Sequence, residues 1–135
     1  MADADSDAAA AGRSVLRRLD PSGDIVSLEA LGEGFAPSML RITLETAFGT
    51  VLADDRLSLR EREIATIAIL AAAGRLDHLE NHLLMAANVG VEPDEIIALL
   101  EHVAVYAGWP AALSALAVAR RVSVDALRDE EEERV

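Results

Sequence analysis

The sequence predicts an all-α domain, a bundle of about six helices, on three observations. Of its 135 residues 52% are apolar but only 3% are aromatic, and Ala and Leu, strong helix formers, dominate. Apolar residues recur at helical rather than alternating spacing. Gly and Pro fall between the periodic stretches as punctuation. That length suits one domain with a real core.

Residues 1–12, with Asp3, Asp5 and Asp7, read as a disordered acidic tail,. The single helical domain spans 13–127, and residues 128–135, with the run Asp129–Glu133, form a second acidic tail,. Residues 13–20 (RSVLRRLD) predict a short helix closed by the Pro21-Ser22-Gly23 turn,. Ser27 to Gly34 predicts another. Ala36-Pro37-Ser38 opens a longer helix with Met39, Ile42, Leu44, Ala47, Phe48 and Leu52 as its apolar positions,.

Ser58 stands three residues before Glu61, the spacing of a capping box,. The helix it starts carries Ile64, Ile67, Ala68 and Ala71 on one stripe and ends at Gly74. From about Leu76 to Val89 the stripe is Leu79, Leu83, Ala86 and Ala87, and Gly90 closes it. Pro93, followed by Asp94 and Glu95, suits a first helical turn. That helix carries Ile96, Leu99, Leu100, Val103 and Ala104 to Gly108. Pro110 opens the last helix, which should end near Arg120 and Arg121,. Residues 64–73 (IATIAILAAA) and 111–119 (AALSALAVA) are apolar almost all round. Such helices need cover on every side, from each other or from further copies of the chain.

Composition also excludes chemistries. No cysteine is present, so disulfides and thiolate nucleophiles are ruled out,. All 12 basic residues are arginine, so no lysine forms a Schiff base,. A net charge of −12 repels phosphate backbones and anionic lipid, so neither nucleic acid nor membrane is an expected partner,. The acidic start has the wrong charge for a signal peptide, and a cytoplasmic protein is expected.

His78 and His82, four residues apart, share one helical face, flanked by Asp77 and Asn81,. Two helix histidines alone fit ordinary surface or core positions as well as a site. The same spacing, with Glu63 as third ligand, fits zinc. The zincin pattern has Glu directly after the first His, where Leu79 stands, and no metal is expected.

A set of landmarks narrows these alternatives. Phe48-Gly49, Arg62-Glu63, His82, Gly90-Val91 with Asp94-Glu95-Ile96, Tyr106-Ala107-Gly108 and Pro110-Ala111-Ala112 resemble, in order and spacing, the carboxymuconolactone decarboxylase family. The resemblance covers roughly residues 13–125. It is to the thiol-free branch, because Arg75 and His78 stand where the peroxidase-type members have two cysteines. A thiol peroxidase is therefore excluded. The resemblance implies a helical trimer or hexamer and a cofactor-independent decarboxylase of a small carboxylated lactone, in protocatechuate breakdown through β-ketoadipate. It implies His82 as general acid or oxyanion donor, His78 as its neighbour, and Glu63 as orienter or proton relay. Arg62 would hold a substrate carboxylate, with Arg60 and Arg75 as competitors, and Tyr106 and Trp109 would line the pocket. Decarboxylases of that branch often lack a glutamate at the position of Glu63, a departure that bears on its role and on the substrate. The competing readings are a relative recruited to another cofactor-free reaction (isomerase, cyclase or lactone processing) in biosynthesis, or a non-catalytic helical oligomer that binds a ligand.

Overall fold

The computed structural model describes residues 5–135, and every side chain there except those of Val124 and Leu127. Among the described residues it is helical throughout, without strands, as the sequence predicts. The elements are α1 (Asp7–Leu19), α2 (Leu28–Gly32), α3 (Pro37–Ile42) running on into a π-helical segment Thr43–Leu52, α4 (Leu59–Ala73), α5 (Leu76–Asn88), α6 (Pro93–Ala107) and α7 (Trp109–Glu133). None is long and apolar enough to cross a membrane. Two units divide the chain, residues 1–62 and 63–135.

In the first unit α1 packs on the π-helical segment. The helix starts at Asp7, not Arg13. Ser6 caps it by accepting the Ala9 N–H at 3.2 Å, and the Ser6 hydroxyl donates to Glu45 at 2.8 Å. Residues 7–12 are thus ordered helix, which corrects the disordered tail expected there; residues 1–4 lie outside the described residues. The alanine run 8–11 supplies propensity, and Ala9, Val15 and Leu19 supply burial. Glycines set the closeness of the crossing. A Cβ on Gly12 would fall 2.1 Å from the Leu44 carbonyl oxygen, and one on Gly49 would fall 1.9 Å from that of Ala8. Both obstacles are backbone, so neither can swing aside. Gly49→Ala is expected to cost about 1–3 kcal/mol or more, read as a lowered urea midpoint. Leu44 and Phe48 are buried as expected, but Met39 and Ile42 are exposed, because α3 is covered on one side only.

Asp20 is the buried acid of this unit. Its carboxylate accepts the N–H groups of Gly23 at 3.0 Å, Ile25 at 3.1 Å and Val26 at 2.9 Å, tying the loop after α1 into one conformation. The Asp-Pro-Ser-Gly sequence carries the signal for such a side-chain turn.

The turn before α4 is held by local pairs. Arg56 donates to the Asp54 carboxylate, which brings its pKa down to about 2. Since the folded value is depressed, this contribution is complete above the ordinary carboxylate range and is lost as pH falls toward about 2,. Arg56→Ala should flatten the acid limb of stability between about pH 4 and about pH 2 in pH-dependent denaturation,. Ser58 and Glu61 form the expected capping box: Ser58 Oγ accepts the Glu61 N–H at 3.1 Å, and Glu61 Oε2 accepts the Ser58 N–H at 2.7 Å,. That bond holds the Glu61 carboxyl below its ordinary value.

The second unit has one core. Ile67 and Ala71 of α4, Leu79, Leu83 and Ala86 of α5, Val91 of the turn that follows, Ile96, Leu100 and Val103 of α6, and Ala115, Val118 and Ala119 of α7 are buried together. Gly74, Gly90 and Gly108, all at positive φ, follow α4, α5 and α6 where the sequence placed the helix stops. Leu79, Leu83 and Ala86 are buried as expected, but Ala87 is exposed and Met85 is buried. α7 packs against both α5 and α6. It runs on to Glu133 past Arg120 and Arg121, since no Gly or Pro interrupts it and Arg, Ala, Leu and Glu all favour helix,. The C-terminal acidic segment is therefore helical, and residues 128–133 are exposed along it.

The two apolar helices are each buried on one side. Ile69 of α4 is 66% exposed and Leu113 of α7 is 58% exposed. Three neighbours in one small unit cover only the faces turned to the core.

Candidate active site

Glu63 stands in the second turn of α4 and is 1% exposed. A carboxyl so deeply buried needs a hydrogen-bond partner. Its partner is His82 of α5, whose Nδ1 lies 2.9 Å from Glu63 Oε2. The His82 side chain keeps 19% exposure, so the ring is held mostly inside with partial access to solvent. When Glu63 is ionised its oxygen accepts a proton-bearing Nδ1, and Nε2 is left to give or take a proton. The arrangement is a partly exposed histidine oriented by a buried acid.

The same side of α5 explains how this ring is held, since Leu79 and Ala86 stand three residues before and four after His82,. Leu79, Leu83 and Ala86 are locked into the core, which fixes the roll of the helix. His82 then emerges at its border. Arg75, His78 and His82 follow one another at i, i+3 and i+7 and so share one side of the helix,. His78 and Arg75 are exposed, and neither side chain has a hydrogen bond or ion pair among the described residues. Glu80, pointing elsewhere, pairs with Arg121 at 3.0 Å. No group of three His, Asp or Glu able to hold a metal is gathered among the described residues.

The remaining candidates are placed differently. Arg60 and Arg62 lie in the first turns of α4 and are half-buried. Arg62 Nη2 donates to the Asp54 carbonyl at 3.1 Å, which ties α4 to the turn before it. Tyr106 is 82% exposed, its ring 5.1 Å from that of His102. Trp109 lines a cleft of about 470 Å³ between α6 and α7, together with Glu101, His102, Val105, Leu113 and Leu116. Neither His82 nor Glu63 lines that cleft. The structure thus joins Glu63 to His82 and sets Tyr106 and Trp109 beside His102, a residue the sequence reading passed over. The recurrence of His102 and Tyr106 at i, i+4 was the available signal.

Comparison with known proteins identifies the family. The carboxymuconolactone decarboxylase family profile matches residues 37–121, which include Glu63, His78 and His82. Over 99 residues the chain is 37% identical to a 4-carboxymuconolactone decarboxylase of Acinetobacter baylyi, an alignment covering 73% of this chain and 73% of that protein. The chain belongs to the carboxymuconolactone decarboxylase family.

Proposed function

We propose that this protein is a cofactor-independent decarboxylase of a small carboxylated lactone, with 4-carboxymuconolactone as the substrate suggested by its relative. The observation that carries the reading is the buried Glu63 carboxyl 2.9 Å from Nδ1 of a partly exposed His82. In that lactone the departing carboxylate is conjugated through the ring to an unsaturated carbonyl. The C–CO2 bond breaks, its electron pair passes into the lactone carbonyl, and a furan-like enolate forms. Protonation on carbon then gives the enol-lactone. The substrate is its own electron sink, so the chemistry asks only for orientation, oxyanion stabilisation and a proton.

His82 donates that proton, oriented by Glu63, and His78 on the same side of α5 is a second donor. For the substrate carboxylate the candidates are Arg75, Arg62 and Arg60. Arg75 is the best supported, since it shares the side of α5 that carries both histidines and holds no ion pair among the described residues. Arg75→Gln should raise KM about tenfold or more while kcat changes little, as a lost charge-assisted hydrogen bond would. A change in kcat alone would remove Arg75 from that role.

We also propose a homotrimer or homohexamer. Val105, Tyr106, Trp109 and Leu113 are each more than half exposed on adjoining parts of α6 and α7, a patch suited to burial between copies,. Light scattering of Leu113→Arg should show a smaller species than the wild type. An unchanged mass would place the interface elsewhere.

The test of the reaction is product analysis. Lactone generated in situ from 3-carboxymuconate should yield CO2 and enol-lactone in equal amounts. An isomerase or cyclase would convert its substrate without releasing CO2, and a non-catalytic binder would do neither.

A further inference from the structure

Ahead of the family-matched residues 37–121, the first unit carries a cleft of about 400 Å³. Its walls are α1, the loop after it from Asp20 to Ser27, and the start of α2. In a chain of net charge −12, this cleft holds two cations, Arg13 and Arg17, one helical turn apart on α1,. Arg13 is engaged by two carboxylates of the chain itself. Its Nε donates to Asp5 Oδ2 and its Nη1 to Glu29 Oε1. The two acids come from opposite directions in sequence, one from the segment before α1 and one from α2.

Complementing the helix dipole accounts for Arg17, in the last turn, but not for Arg13 in the middle of α1,. Asp20, Ser22, Ser27 and Glu29 are the other polar residues of the wall, and the Asp20 carboxylate is turned to its own loop, accepting the N–H groups of Gly23, Ile25 and Val26 and the Ser22 hydroxyl. Arg17 is exposed and has no ion pair among the described residues, and Ser27 stands on the same wall. The Asp5 and Glu29 side chains are 36% and 58% exposed, so both acids can leave Arg13 for water at small cost,.

We propose that this cleft is a binding site for a small carboxylate ligand, held by Arg13 and Arg17, with Asp5 as an internal competitor for Arg13. The guanidinium fork of Arg13 donates to a ligand carboxylate as it now donates to those of the chain,. Arg17 supplies a second charge one turn away, which favours a ligand with two carboxylates over one with a single carboxylate. The site lies wholly within the first unit and makes no use of His82 or Glu63.

Calorimetric titration of the full chain with succinate tests the proposal without any catalytic readout. Asp5→Asn should bind succinate about three- to fivefold more tightly than the wild type, the worth of one exposed ion pair. In the Asp5→Asn background, Arg17→Gln should weaken binding about tenfold, and Arg13→Lys should weaken it by loss of the fork. The helical circular dichroism of each variant should match the wild type; Arg17, being exposed, keeps the test decisive if Arg13→Lys disturbs folding. No binding of succinate to either the wild type or Asp5→Asn would overturn the site. So would equal affinity of those two proteins, or binding that survives Arg17→Gln.

Discussion

His82→Gln is expected to lower decarboxylation turnover by about 10²–10⁴-fold, the range supplied by a positioned acid–base group. Glutamine is the informative replacement. It keeps an N–H for the buried Glu63 carboxyl, whereas alanine would strand that carboxyl at a cost of about 1–3 kcal/mol. The effect of His82→Gln should therefore appear in kcat, with the denaturation midpoint close to that of the wild type. If turnover stays within about threefold of the wild type, His82 is not the proton donor. His78→Gln, at an exposed position without a hydrogen bond among the described residues, separates the two histidines: its loss should be smaller than that of His82→Gln.

The second large effect is expected at Glu63. Glu63→Gln keeps shape and an acceptor oxygen for His82 Nδ1 but removes the acid. Turnover should fall about tenfold to a hundredfold, by comparison with carboxylates that orient metal-bound histidines. Glu63→Leu should lose as much as His82→Gln, because the ring would then be free to rotate. Combining Glu63→Leu with His82→Gln should add little to either alone, since the two residues act as one unit. Additive losses would mean that Glu63 serves the reaction independently of the histidine. A buried acid with no catalytic part predicts instead a loss of stability with kcat preserved. These patterns decide the role left open by the family's decarboxylases that lack this glutamate.

The parts of the fold that could be read from sequence are those fixed within a few residues. The Ser58–Glu61 capping box, the stops at Gly74, Gly90 and Gly108, and the stripes through Ile67, Leu79 and Leu100 depend on spacing alone. What escaped depends on distant parts of the chain. The start of α1 at Asp7 follows from its seat against Leu44 and Gly49, more than thirty residues on, where a tail of aspartates and alanines gains a surface to pack on. The π-helical form of Thr43–Leu52 has no periodicity signal, since Leu44 and Phe48 would also be neighbours on an α-helix. The exposure of Ile69 and Leu113 follows from which faces the few neighbouring helices reach, and composition reports only that those helices are apolar.

The same division holds at the site. The shared side of Arg75, His78 and His82 is helical arithmetic. The bond from His82 to Glu63 spans 19 residues and two helices. The family resemblance named both residues, with Glu63 as orienter of a histidine or proton relay, and the bond between them and its burial came only with the packed core. Tyr106 and Trp109 were legible as aromatics at a helix end, but spacing carries no information on the cleft that Trp109 lines or on the His102 ring beside Tyr106.

The central claim, that a Glu63–His82 pair decarboxylates a lactone without a cofactor, is tested most directly by one assay. Enzyme dialysed against EDTA is supplied with 4-carboxymuconolactone as a cycloisomerase forms it, and CO2 is followed for the wild type and for His82→Gln. The account predicts full wild-type turnover after EDTA and a loss of at least about 10²-fold in the variant. Turnover abolished by EDTA and restored by a divalent metal, or a variant as fast as the wild type, would contradict it.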